Sequence, residues 1–85
     1  MEGYVDYSYD RGNVNNPDRV FPAEHAFAGK QKYLSKDIEE AFPAKAFIVR
    51  CDDKSLCVFV KNEHELTDTE KLILDKVILD HKNNY

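Results

Sequence analysis

Eighty-five residues make one small domain at most, and a chain of this size buries only about 60–65% of its unfolded surface, which leaves a thin core. With 42% hydrophobic and 33% charged residues and a net charge of −4, the chain is neither wholly disordered nor basic enough for a general nucleic-acid binder. No apolar run approaches the roughly eighteen residues of a membrane-spanning helix.

Met1-Glu2-Gly3-Tyr4 is acidic and polar, unlike a signal peptide. The expected setting is therefore a reducing compartment, with Cys51 and Cys57 as thiols. Their spacing fits no zinc motif.

Residues 1–32 read as an extended arm. All three glycines lie here, with two of the three prolines, and the clusters Asp10-Arg11-Gly12-Asn13 and Asn16-Pro17-Asp18 break regular structure. Neither helical spacing nor a sustained alternation is expected. Yet Tyr4, Tyr7, Tyr9, Val20, Phe21 and Phe27 recur every few residues, and disordered segments are poor in aromatics. Tyr7 and Tyr9 would share one face of an extended strand. Three arrangements fit: an arm docked on a partner chain, an arm folded back to thicken its own core, or an arm mobile in the free protein. Pro22 to Gly29 is compatible with a short helical turn, proline suiting its start and glycine its end.

Residues 33–85 read as the compact domain, giving an α+β fold of helix, β-hairpin and helix behind the arm. Leu34, Ile38, Ala41 and Phe42 repeat at helical spacing, with Ser35 as the expected N-cap and Pro43 as the stop. Ala46–Cys51 and Leu56–Val60 are β-branched and aromatic, separated by Asp52-Asp53-Lys54-Ser55, and predict a hairpin. Its register places Cys51 opposite Leu56, Val49 opposite Val58 and Phe47 opposite Val60. One face is then wholly apolar, and the two cysteines point to opposite faces. The other face still carries Ile48 and Phe59. Because a two-stranded sheet is marginal alone, a partner or an added strand is expected.

Thr67 with Glu70 three residues on forms a capping box at the head of a long helix. At about 100° per residue, Leu66, Ile73, Leu74, Val77 and Ile78 fall on one broad face. Leu72 and Leu79 fall on the far side, flanked by Lys71 and Asp75 and by Lys76 and Asp80. That second stripe either covers the first helix or meets another subunit.

No constellation for catalysis is present. His64-Glu65-Leu66-Thr67-Asp68 begins like a zinc-binding His-Glu-x-x-His but ends in aspartate and precedes the helix. His81 suits the helix C-terminus. Asp10, Asn13, Asn15 and Asp18 lack the spacing of a calcium loop. No enzyme, metal or cofactor is expected.

The run Leu66-Thr67-x-x-Glu70-x-x-x-Leu74-Asp75-x-Val77-Ile78-x-x-His81, following a hairpin, resembles a pattern of small structural proteins from tailed-bacteriophage virions. The likeness covers residues 34–82 and leaves the arm unmatched. It implies a structural subunit, made in the host cytoplasm and residing in the virion as a head-decorating, neck or tail component. It brings no active-site residues. The expected partners are other virion proteins or copies of the chain itself, contacted through Tyr4, Tyr7, Tyr9, Val20, Phe21, Phe59, Leu72 and Leu79. The competing expectation is a small acidic monomer that regulates or inhibits a host protein.

Overall fold

The structure, a computed structural model, describes residues 2–12, 20, 34–52 and 55–84, with Asn84 as backbone only. It is an α+β arrangement of a three-stranded antiparallel sheet and two helices. The elements run β1 (Tyr4–Asp10), α1 (Leu34–Ala41), β2 (Phe47–Cys51), β3 (Ser55–Lys61), a 3-10 turn (Asn62–His64) and α2 (Asp68–Asn84). The sheet order is β1-β3-β2.

The β2–β3 hairpin forms because two apolar, β-branched runs flank a polar connection. Its register is the expected one: Phe47 pairs with Val60, Val49 with Val58 and Cys51 with Leu56. The backbone N–H of Asp52 donates to the Ser55 carbonyl at 2.9 Å, closing the turn. Burial alternates strictly along β3, with Leu56, Val58 and Val60 facing inward. Both cysteines are free thiols, and in this register they lie on opposite sides of the sheet.

The added strand comes from the chain itself. Val5, Tyr7 and Tyr9 alternate with Asp6, Ser8 and Asp10, which is the period of a half-buried strand. In pairing with β3, Val5 opposes Val60, Tyr7 opposes Val58 and Tyr9 opposes Leu56, so the apolar members land on the core side. Residues 4–10 thus realise the fold-back arrangement and correct the expectation that the arm has no sustained alternation. Gly3 leads into the strand at φ +81°, a conformation that favours glycine, and its carbonyl accepts from the Asn62 N–H at 3.0 Å. Gly12 forms an isolated antiparallel bridge with Val20. The expected helical turn from Pro22 to Gly29 lies outside the described residues, as do Asn13, Asn15 and Asp18.

Both helices contribute to the core that lies on the inner face of the sheet. Leu34, Ile38 and Phe42 from the α1 region meet Val49, Leu56, Val58 and Val60 of the sheet and Leu66, Leu74 and Ile78 around α2. Each fully buried aliphatic side chain contributes roughly 1.5–3 kcal/mol over its exposed state. The helix α1 begins at Leu34, two residues before the first helical position that a Ser35 cap gives, and Ser35 is a buried position inside it. Its end is as expected: the last turn closes with the Phe42 N–H on the Ile38 carbonyl at 2.9 Å, just before Pro43.

The capping box at α2 is complete. The Thr67 N–H donates to Glu70 Oε1 at 3.0 Å, and the Glu70 N–H donates to Thr67 Oγ1 at 3.2 Å. The bond between Glu70 and the Thr67 backbone holds that carboxyl below the usual carboxylate range. Thr67→Ala removes one of the two bonds and should lower stability by about 1 kcal/mol, read as a shift in the urea midpoint with unchanged slope.

One assignment on α2 differs from expectation. Ile73 is 43% exposed, although the wheel placed it on the core face. The buried line runs through Leu74, Ile78 and His81 instead. His81 Nδ1 lies 2.9 Å from Asp37 Oδ2 of α1. This contact ties the C-terminal end of α2 to α1. His81 is thus an interhelical tie as well as a residue of the helix's last turn.

Candidate functional site

Three surfaces remain after the core is assembled. The first is the outer face of α2. Leu72 is 69% exposed and Leu79 44%, so the second stripe does not cover α1. Two ion pairs bracket it: Lys71 Nζ to Asp75 Oδ1 at 2.6 Å and Lys76 Nζ to Asp80 Oδ2 at 3.0 Å. These are i,i+4 pairs of the kind that support an exposed helix. They leave the leucines between them open, while Ile73, also exposed, lies beyond the Lys76–Asp80 pair.

The second surface is the outer face of the sheet. Pairing places Phe59 between Asp6 of β1 and Ile48 of β2. Ile48 and Phe59 are half-buried, and so is Tyr4 opposite Lys61. Cys57 faces Ser8 here, with Sγ 3.6 Å from the serine Oγ. The charged residues Asp6, Asp10, Arg50 and Lys61 are exposed along the same face. It is an amphipathic surface, apolar along the middle and charged at its margins.

The third feature joins β1 to α2. Tyr9 donates its hydroxyl to Asp75 Oδ1 at 2.5 Å, while Lys71 Nζ donates to the same Tyr9 oxygen at 3.1 Å. The ammonium also stands 5.0 Å from the Tyr9 ring centroid and 5.7 Å from that of Tyr7, within cation–π range. Tyr7 in turn accepts from the Leu66 N–H at 3.2 Å. Burial, then the bond to Asp75, pushes the Tyr9 phenol up to about 12. Burial alone would push Asp75 up, but the bonds from Lys71 and Tyr9 outweigh it and hold the carboxyl below its usual range. The bond to Asp75 raises Lys71.

The predicted contact residues therefore divide. Leu72 and Leu79 lie together on one face of α2. Tyr4 and Phe59 lie on the outer sheet face, and Val20 is exposed beside Gly12. Tyr7 and Tyr9 lie on the inner face, with rings and hydroxyls engaged inside the chain. Phe21 lies outside the described residues.

Sequence reasoning missed Arg11 and His64. Arg11 is only 8% exposed and donates to the Asp52 carbonyl at the hairpin turn. His64 Nδ1 accepts from the Ala46 N–H at 2.9 Å, which fixes the proton on Nε2 in the neutral ring, and its carbonyl accepts from Lys45 at 3.1 Å. No local pattern marks either residue, because each partner lies far along the chain.

Between α1 and α2 an open cleft of about 260 Å³ is lined by Asp37, Glu40, Val77, Asp80 and His81. Among the described residues no group of three or more His, Cys, Asp or Glu side chains is placed to hold a metal ion. No helix of these residues is long and apolar enough to cross a membrane. Comparison with protein-family models, curated proteins and solved structures finds no match.

Proposed function

We propose that the protein is a non-enzymatic structural subunit of a tailed-bacteriophage virion, a head-decorating, neck or tail component that binds copies of itself or other virion proteins. The observation that carries this reading is the open leucine stripe of α2. Isolated exposed apolar residues are ordinary, but Leu72 and Leu79, one heptad apart, form an exposed apolar stripe on a helix whose opposite side already completes the core. Such patches mark contact with other molecules. The amphipathic outer sheet face adds a second contact area, and the phage-like pattern across residues 34–82 supplies the setting.

Mass spectrometry of purified particles tests the setting. The polypeptide should be present in many copies per particle. Its absence, with a stable monomer that retains one host protein, would overturn the reading in favour of a regulator.

The stripe is tested separately. Leu72→Ser with Leu79→Ser should abolish association, measured by sedimentation or by incorporation into particles. Exposed positions away from special contacts change stability by at most about 0.5 kcal/mol each. A loss of monomer stability as large as the loss of association would show that the stripe belongs to the fold.

A further inference from the structure

We propose that β1 is an exchangeable strand, and that the partner it fits is the β3 edge of a second copy of this chain. Four observations carry this.

First, the most deeply buried side chains come from α1, β2, β3 and α2 with their flanking residues, and β1 adds Tyr7 and Tyr9, which pack against them. Second, β1 is an edge strand paired to β3 alone, so its departure leaves the β2–β3 hairpin whole. Third, the anchors that receive it belong to that same unit. They are the β3 edge, the Leu66 N–H, the Lys71–Asp75 pair and the Asp52 carbonyl that takes Arg11. Every copy presents an identical acceptor, and a strand from a neighbour makes the same bonds in it.

Fourth, the chain is long enough. Fully extended, residues 21–33 would reach roughly 40 Å, against 36 Å for the longest dimension of the molecule. Exchange of an identical element between protomers is a low-cost route to association, because the contacts are conserved and only the connection changes. Concentration then decides the outcome. A strand joined to its own acceptor through a short length of chain meets it at an effective concentration on the order of millimolar. Dilute chains therefore close on themselves, and crowded chains trade strands. Exchange is a property of the isolated chain and does not rest on the particle role, so either reading can fail alone.

The pairing supplies its own probe. Ser8 is directly opposite Cys57, and the two side-chain heteroatoms are 3.6 Å apart. In a Ser8→Cys full-length chain, mild oxidation with oxidised glutathione after refolding should link positions 8 and 57. Cys51, on the opposite face, stays outside the pair. Equal amounts of isotopically heavy and light protein are unfolded together in urea, refolded, oxidised, quenched with iodoacetamide and mapped by mass spectrometry. At ~10 μM the 8–57 link should lie within one chain; at millimolar chain, near the effective concentration of the tether, about half of the links should cross between chains, so heavy–light 8–57 links should make up roughly a quarter of the total. Links that remain within one chain at every concentration would overturn the exchange. Failure to form any 8–57 link would overturn it as well, by removing the strand pairing on which it depends.

Discussion

Leu74→Ala should cost roughly 3–4 kcal/mol of stability, whereas Leu72→Ala, two positions earlier on the same helix, should change it by no more than about 0.5 kcal/mol. The residue type, the helix and the replacement are identical, so propensity cancels and burial alone separates the two. Leu74 is 1% exposed and sits among Ile38, Val58, Val60 and Leu66; Leu72 is 69% exposed. Removing Leu74 withdraws its apolar surface and leaves a cavity that a small, close-packed core cannot easily refill. A domain of this size has roughly 4–13 kcal/mol in total, so Leu74→Ala should remove a large share of its stability. Urea denaturation of the two variants provides the check. Similar losses for both would mean that α2 buries a different face.

Tyr9→Phe should cost about 1.5 kcal/mol, the lower end of the range for a hydrogen bond to a charged group, since the site is half open to solvent. It breaks two links at once: the hydroxyl no longer donates to Asp75 and no longer accepts from Lys71. The same group sets an alkaline limit on β1. The Tyr9 phenol is raised from 10.0 to about 12, so between those values the folded chain retains a proton that the unfolded chain has released. Stability from this group is therefore complete below pH 10 and declines as pH rises towards 12, by about 1 kcal/mol once solvent screening is allowed for. The raised Lys71 acts in the same direction at high pH. The lowered Asp75 acts at the other end: its contribution is present above the usual carboxylate range and is lost as acid protonates it. Unfolding free energies of wild type and Tyr9→Phe, measured from pH 8 to 12, should converge as the pH rises. A constant difference across that range would detach the Tyr9 hydroxyl from the effect.

The parts of this fold that were legible in the sequence are those whose determinants lie close together. The hairpin register follows from two apolar runs and a short connection. The capping box follows from two residues three apart. The open leucine stripe follows from helical geometry alone, and Leu72 and Leu79 are exposed where the wheel placed them. Ile73 shows the limit of that method, since a wheel gives angles but not the direction from which neighbours press. The partners that press on α2, α1 among them, lie far along the chain, and no local pattern announces them. β1 was hidden for a different reason. Its alternation of Val5, Tyr7 and Tyr9 with polar residues is short, and the glycines, prolines and asparagines that follow it signal turns rather than a strand. Of the candidate contact residues, the helix positions could be inferred by periodicity. The inward placement of Tyr7 and Tyr9 required knowing that β3 lay beside them.

The pairing of β1 with β3 also bears on the order in which a newly made chain can fold. Ser8 and Cys57 lie 49 residues apart, so β1 leaves the ribosome well before the strand it pairs with. At roughly 5–20 residues per second, it waits several seconds for its partner to be synthesised. The β2–β3 hairpin, whose pairing is local, assembles quickly once made; the distant strand closes on it only after the larger loop-closure entropy has been met. During that interval the tyrosines and the β3 edge are both unpaired. Where many copies are translated side by side from one message, the strand that first reaches a given edge need not belong to the same chain.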